Sequence, residues 1–383
     1  MYTNPQKLGI IKPLSHMNEL FKIEDMWRNI YETVSPNSIF ISFDYIMLWY
    51  NCFARPEQVR VYPAYEGDKI IGYLPLILNK KGPFRFLSSL TNLHCFHPAA
   101  LIAEGYEETF SNSCLHAIFS DKCGWDVFQY RSGYSFQYGL SLSILSPLAY
   151  HFKEIKLPTY SMLIPGSFEE YFNKHLSPQM RKNAKSSKKR LQTVPSYRFC
   201  HYTGDDAVAS WPTFLSIEDS GWKGVKGSSL KKLPQNYHSY YVGLIDMLSK
   251  NNQLHMYFLE INGHPVAGTF CYVDQDVFHA WKAGYVEEFS SLSPSTLLLL
   301  YIIEDLNTNF PMVKRLHMFP GDFGYKHRYV NEESFYSEVV LYDRTILGSS
   351  AHILSPIKQR VELLPGMSAA IGFIRKHFFR DDD

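Results

Sequence analysis

The chain has no excess of either charge. Its 383 residues carry 38 Lys and Arg against 37 Asp and Glu, a formal net charge of +1. No global field therefore selects nucleic acid or an acidic surface. Paired cysteines are also lacking. Cys52, Cys95, Cys114, Cys123, Cys200 and Cys271 are scattered, with no C-x-x-C spacing. That argues against a zinc ribbon and reads as buried thiols in a reducing compartment. No apolar run approaches the roughly 18 residues that mark a membrane span. The best candidate, 297–303, is far shorter. Residues 1–7, MYTNPQK, lack a basic segment followed by an apolar one, so no signal peptide is expected. G-x-x-x-x-G-K, G-x-S-x-G and H-E-x-x-H are absent. A soluble cytoplasmic protein without a metal is the expectation.

What is present is ordinary globular composition, with 45% apolar and 20% charged residues, and many aromatics, at 16%. At roughly 150 residues per domain the length suits two or three domains. The order of elements is legible from periodicity. Ser15 can cap a helix with Leu20, Ile23, Trp27 and Tyr31 at helical spacing, and Ser42 a second one with Tyr45, Ile46, Trp49 and Phe53. Strands are expected at 59–65, 69–78 and 84–88, then a helix at 106–120 and a strand at 125–130. The second half repeats this order: strands at 254–261, 266–273 and 278–285, a helix at 294–307, a strand at 314–319. Asn262-Gly263 is a strong hairpin turn between the first two. The hairpins at 62–72 and 257–268 can be laid on each other with one extra residue in the second, a spacing close to 195. This reads as a domain duplication, although hairpins also look alike by chance. Between the halves, Ser167 can start a short helix to Leu176, and a basic stretch begins at Ser177.

Five features could carry chemistry. The start SLSPST at 291–296 places Ser293 as N-cap and Pro294 at the first helical position. Small Ser295 and Thr296 leave backbone N–H groups accessible to a phosphate, though a plain capped helix fits too. The turn FPGDFGYK at 319–326 follows a strand. It gathers His317, Asp322, Tyr325 and Lys326, where His317 or Asp322 could deprotonate an amine and Tyr325 could protonate a thiolate. A solvated surface turn is the alternative. Lys174, Arg181, Lys182, Lys185, Lys188, Lys189 and Arg190 form a basic run with no acidic residue between Glu170 and Asp205. It fits phosphates of a nucleotide, an RNA or a lipid-linked sugar, or a solvated helix face. Without interleaved aromatics, nucleic-acid readout is weakly supported. Trp222 and Lys223 in a glycine-rich loop suit a binding wall or a structural anchor. Asn92, His94 and His97 could line a pocket; a metal there would need further ligands.

In order and spacing these stretches resemble the BioF2-like acetyltransferase group, related to the cellulose-biosynthesis protein CelD, within the GNAT superfamily. The resemblance rests on FISFDYIMLW at 40–49, GYLPL at 72–76, SPQMRKN at 177–183, SGWKG at 220–224, SPSTLL at 293–298 and PGDFGYK at 320–326. It implies an α+β chain of two GNAT-like domains, each a mixed, mostly antiparallel sheet flanked by helices, an arrangement also similar to the Fem aminoacyl transferases. The expected divisions are 1–155, 156–345 with the better-preserved domain, and a helical tail at 346–383. The helix at Ser293 corresponds to the superfamily's pyrophosphate-binding helix, so Ser293, Ser295, Thr296 and Leu297 are expected at an acyl-CoA. Ser295 stands where the family usually has Gly, and His317 where it usually has Asp. A histidine can still accept a proton near neutral pH.

The expected activity is transfer of an acyl group from acyl-CoA to an amine, with His317 or Asp322 accepting the proton, Tyr325 as acid and Lys326 as an anion contact. A backbone N–H on the strand before Tyr285 is expected to stabilise the oxyanion. An amino sugar or nucleotide-linked amino sugar is the expected acceptor by analogy, in a cleft between the halves lined by Asn92, His94, Trp222 and Lys223. Two rivals stay open: an aminoacyl-tRNA-dependent transferase that uses the basic run for RNA, and a non-catalytic binding protein. The tail has Leu354, Ile357, Val361, Leu364, Ile371, Ile374 and Phe378, interrupted by Pro356 and Pro365. It is expected to pack back on the body, the alternative being membrane contact through Lys358, Arg360, Arg375, Lys376 and Arg380.

Overall fold

A computed structural model of the chain describes residues 12–34, 38–92, 94–95, 100–120, 124–131, 151–318, 326–330, 332–343 and 345–362. They cluster into two units: one within 1–36, 40–156 and 336–383, the other within 37–39 and 157–335. The helix Ile346–Glu362 groups with the first unit.

In the second unit the turn residues Asn262 and Gly263 have φ of 52° and 79°. Two positive φ values give the turn whose twist matches a hairpin. It joins antiparallel strands Leu254–Ile261 and His264–Asp274. Val277–Tyr285 continues antiparallel, and after the helix Pro294–Asn309 the strand Arg315–His317 returns parallel to it. Residues 161–163 of the strand His151–Leu163 pair antiparallel to Arg315–His317, and Tyr197–Thr203 pairs with Leu254–Ile261. The sheet is thus mixed and mostly antiparallel, as expected.

Its two faces have different coverings. On one, Leu297, Leu298, Ile302 and Ile303 of the helix Pro294–Asn309 pack with Phe278, Leu259 and Tyr257. Each such side chain contributes about 1.5–3 kcal/mol on burial. On the other, Trp211 of the helix Gly204–Ser220 meets Phe214 of the same helix and Phe270, and Tyr241 of the helix Gln235–Lys250 meets Trp211 and Trp281.

The first unit repeats the plan. Val59–Glu66 and Lys69–Lys81 form a hairpin, and Phe84–Ser89 adds antiparallel. After the helix Glu107–Ser120, Val127–Arg131 lies parallel to Phe84–Ser89 and antiparallel to residues 338–342. The two hairpins agree pair for pair. Val59 faces Ile77 as Leu254 faces Tyr272, Tyr62 faces Leu74 as Tyr257 faces Thr269, and the register shift after Ala64 recurs after Leu259. Each pair lies 195 positions from its counterpart, so no extra residue separates the hairpins. Gly72 then corresponds to Ala267 and not to Gly268, because both turns hold two residues.

Three local expectations are corrected. The first helix is two helices, Met17–Leu20 and Glu24–Val34. His16, not Ser15, caps the first through Nδ1, while Glu19 accepts the N–H groups of Ser15 and His16 and closes the turn. The helix begun by Ser167 runs Phe168–Glu170 and passes into a wider turn, Tyr171–His175. The helix Ile346–Glu362 continues through Pro356, since a proline removes one backbone donor and the remaining hydrogen bonds can carry the helix past it. No helix among the described residues is long and apolar enough to cross a membrane.

Candidate active site

Among the described residues the strands Val277–Tyr285 and Arg315–His317 pair over three positions, the last being His279 with His317. Val277–Tyr285 runs on, held on its other side by His264–Asp274, through a bulge between Ala280 and Lys282. A bulge re-aims the chain and breaks the alternation of side chains. Ala280 and Tyr285 pack toward the helix Pro294–Asn309. Trp281 packs against Tyr241, Phe270 and Tyr272 on the opposite face, and Lys282 holds its ammonium over the Trp281 ring at 5.8 Å.

The helix start lies on the first of these faces. Pro294 occupies the first turn as expected, but Ser293 is left-handed, with φ 54° and ψ 52°, and its hydroxyl makes no capping bond. The expected side-chain cap is therefore not formed, because this backbone turns the residue away from a capping geometry. The Ser293 carbonyl accepts the Leu297 N–H at 3.2 Å. The first-turn N–H groups of Ser295 and Thr296 lie beyond the reach of any carbonyl of the helix. They carry the positive end of a 16-residue helix. Leu297 is buried in the core beneath them. Thr296 Oγ1 lies 3.0 Å from the hydroxyl of Tyr329, whose carbonyl accepts from Tyr171. Burial pushes the Tyr329 phenol up. Tyr329 had no sequence signal, since only the chain's return past 326 brings it to the helix start.

Where the strands part, His317 is 0% and His279 2% exposed. Their Nδ1 atoms are 3.2 Å apart, and His317 Nε2 is 2.5 Å from Thr159 Oγ1. Tyr272 stacks on His279. The predicted base is thus a member of a buried Thr159–His317–His279 chain and touches no solvent.

Lys223 pairs with Glu218, and Lys282 feels the charges of Glu218, Lys223 and Lys326. The Glu218 carboxylate is buried, accepting Lys223 Nζ at 2.9 Å and the Leu230 N–H at 2.7 Å. Lys223 also donates to the Ala283 carbonyl at 3.1 Å. Gly284 leaves no room at this point: a Cβ there would lie 2.8 Å from the Glu218 Cα. Lys326 is 4% exposed, its ammonium 5.7 Å from the centre of the Tyr160 ring. Burial pushes Lys326 down to about 8, and Lys282 to about 8 as well, with Lys223 adding repulsion there. Lys282 lacked any motif; only the bulge turns it toward Glu218.

The other predicted residues fall as follows. Trp222 is 48% exposed, with the Lys226 ammonium over its ring. Asn92 and His94 belong to the first unit, where Asn92 Oδ1 accepts the His94 N–H and the Asn92 backbone bridges to that of Cys95. Asp322, Tyr325 and His97 lie outside the described residues. Of the basic run, Lys174 lies in the turn Tyr171–His175 and donates to Glu170 at 3.1 Å, while the rest forms the helix Pro178–Leu191, capped by Ser177, with Lys182, Lys185, Lys188, Lys189 and Arg190 exposed and Arg181 bound to the Asn173 and Leu176 carbonyls. Among the described residues no group of three His, Cys, Asp or Glu side chains could hold a metal.

Residues 178–327 match the family described as acetyltransferase (GNAT) domain, a span that contains the helix start, the bulge and the lysines. No curated protein matches the chain. Among solved structures the chain is similar in fold to FemX, with 10% identity, a TM-score of 0.57, and coverage of 86% of this chain and 98% of that one. It is also similar to the C-terminal domain of a putative lysylphosphatidylglycerol synthetase from Agrobacterium fabrum, with 11% identity, a TM-score of 0.50, and coverage of 88% and 97%. The match puts an acetyltransferase (GNAT) domain at residues 178–327, inside the 157–335 unit of a chain with two α+β units.

Proposed function

We propose that the chain moves an acyl group from acyl-CoA to an amine, with the donor seated in the 157–335 unit. The observation that carries this is the parting of two parallel strands at His279 and His317, next to a bulge and on the sheet that the Ser293 helix start covers. The backbone of Ala280–Tyr285 beyond the parting has donors to offer a thioester oxygen, and the N–H groups of Ser295 and Thr296 suit a pyrophosphate. The amine lone pair attacks the thioester carbonyl and the C–S bond breaks. The proton leaves the nitrogen toward the His317–His279 pair, with Asp322 as the second candidate. The thiolate takes a proton from a phenol, Tyr329 beside Thr296 or Tyr325. Holding the two reactants together supplies much of the rate.

The acceptor class follows the resemblance: an amino sugar, free or nucleotide-linked. Trp222 and Lys223 stand on the acceptor side. A cytoplasmic location goes with the donor. A second reading has one observation behind it. The exposed basic face of Pro178–Leu191 suits an RNA backbone, and aminoacyl-tRNA would then be the donor.

Calorimetric titration with acetyl-CoA, longer acyl-CoAs and free CoA tests the first reading. Micromolar binding that Ser295→Trp abolishes is expected. Absence of binding by any CoA species, with salt-sensitive binding of tRNA, overturns it in favour of the second.

A further inference from the structure

Beyond its bulge, the strand Val277–Tyr285 pairs Lys282 with Phe270, Ala283 with Thr269, Gly284 with Gly268 and Tyr285 with Ala267. One step further, Val286 donates to the Val266 carbonyl at 2.8 Å. In an antiparallel ladder, hydrogen-bonded pairs alternate with pairs that are not. Lys282 and Gly284 therefore bond to the strand His264–Asp274, as Val286 does. Ala283 and Tyr285 turn their N–H and C=O groups toward the opposite edge. That is the edge on which Arg315–His317 pairs with residues 277–279.

The segment 218–223 lies against these same residues. Lys223 Nζ donates to the Ala283 carbonyl at 3.1 Å. A Cβ on Gly221 would come 3.1 Å from the Tyr285 carbonyl oxygen, and one on Gly284 2.8 Å from the Glu218 Cα. Ala283, Gly284 and Tyr285 thus each meet the end of the helix Gly204–Ser220 or the short helix Trp222–Val225 that follows it. In the stretch SGWKG at 220–224, the first glycine and the lysine are the residues that touch the strand. The segment is also tied down at its own ends. The buried Glu218 carboxylate accepts Lys223 Nζ at 2.9 Å through one oxygen and the Leu230 N–H at 2.7 Å through the other. Asp219 accepts the Ser229 hydroxyl at 2.5 Å. Lys223 commits two of the three donors of its ammonium inside the fold, one to a carboxylate and one to the strand. An ammonium held by a buried carboxylate has a fixed position, and the Ala283 carbonyl is tied to it.

We propose that Glu218 and Lys223 are positioning residues for acyl transfer: they clamp the edge of Ala283 and Tyr285, and with it the aim of the N–H groups that this edge offers to a thioester oxygen. The role in transfer rests on the acyl-transfer reading; the clamp on the strand does not. A displacement of about 1 Å in such a donor costs about 100-fold in rate.

The test uses the full chain. Lys223→Met alone leaves the Glu218 carboxylate buried and unpaired. The decisive variant is therefore Glu218→Gln with Lys223→Met, in which the amide oxygen still accepts from Leu230 and no buried charge remains. Hydrogen exchange read by mass spectrometry reports the clamp. Residues 282–286 should exchange about tenfold or more faster in the double variant, with 254–261 unchanged and the thermal midpoint close to that of wild type. Turnover of acetyl-CoA with glucosamine, read as released thiol, reports the role. In the double variant kcat should fall about 10–100-fold with both KM values within about twofold, whereas Lys223→Arg, which keeps donors for both oxygens, should retain most of the rate. Unchanged exchange at 282–286 overturns the clamp. Faster exchange with kcat intact, or a raised acceptor KM at unchanged kcat, overturns the positioning role. A wild type that neither binds nor turns over acetyl-CoA removes the acyl-transfer reading and the role built on it, while faster exchange in the double variant keeps the clamp.

Discussion

His279 and His317 are register partners at the last pair of two parallel strands, and their Nδ1 atoms meet at 3.2 Å. One of these nitrogens must donate and the other accept, so the contact holds one proton. The tautomer then propagates. If His317 donates at Nδ1, its Nε2 accepts from the Thr159 hydroxyl; if it accepts, Nε2 donates. This makes the pair suited to passing a proton without a net buried charge.

Replacing His317 with Gln should lower kcat by about 10²–10⁴-fold with little change in the KM for the donor. It should also destabilise the fold by about 1–3 kcal/mol, because Thr159 and His279 are left with a poorer partner. Steady-state kinetics alongside urea denaturation separate the two effects. Unchanged kcat in a destabilised variant would assign His317 a structural role and pass the base to Asp322.

Lys282→Met should stabilise the fold. The native pKa is depressed to about 8 from the ordinary 10.5. Between those values the unfolded chain binds more protons than the native one, so wild-type stability rises with pH over that window and the penalty is fully present below it. Removing the ammonium should therefore gain about 1–2 kcal/mol at pH 7, and the gain should fade toward pH 10.5. Thermal denaturation at pH 7 and 10 checks it. A variant less stable than wild type at pH 7 would mean that the ammonium is compensated within the fold.

Much of the frame was legible in the sequence. Asn262-Gly263 announces its hairpin, the apolar run after Pro294 its helix, and the order of elements in both halves follows from periodicity. The candidate site was legible only in part. Ser295, Thr296, His317, Lys223 and Lys326 sit in recognisable stretches, whereas Lys282, His279 and Tyr329 acquire their places through register. A bulge at Trp281 and the pairing of His279 with His317 are properties of strand alignment, which no local pattern encodes. The hairpin comparison failed in the same way: matching Gly72 to Gly268 follows residue identity, while the ladder matches Gly72 to Ala267.

Gly284→Ala should be costly although no positive φ is involved. The added Cβ would approach the Glu218 Cα to 2.8 Å and its N to 3.2 Å, both backbone atoms that cannot rotate away. The helix Gly204–Ser220 must shift or the strand must bend. About 1–3 kcal/mol of destabilisation is expected, together with weaker binding at Lys223, whose partner Glu218 moves. A urea midpoint equal to that of wild type would show that the strand and helix are looser than the geometry says.

Ser293 is one of four non-glycine residues with positive φ among the described residues, and its substitutions test the helix start without touching a buried charge. A non-glycine residue at φ 54° costs about 1–2 kcal/mol from the clash of Cβ with the following carbonyl. Glycine removes that clash but gives the unfolded chain about 0.4–1 kcal/mol more entropy to lose. The two terms nearly offset, so Ser293→Gly should stabilise by at most about 1 kcal/mol. Valine adds a branched Cβ to the same clash and should destabilise by more than 1 kcal/mol, since β-branched side chains tolerate this region least. The order Gly, Ser, Val in denaturation midpoint is the expected result. Donor binding should follow the same order, because the Ser295 and Thr296 N–H groups are aimed by the turn at Ser293. If valine is as stable as glycine and binds acyl-CoA equally well, the left-handed turn is not what presents those groups.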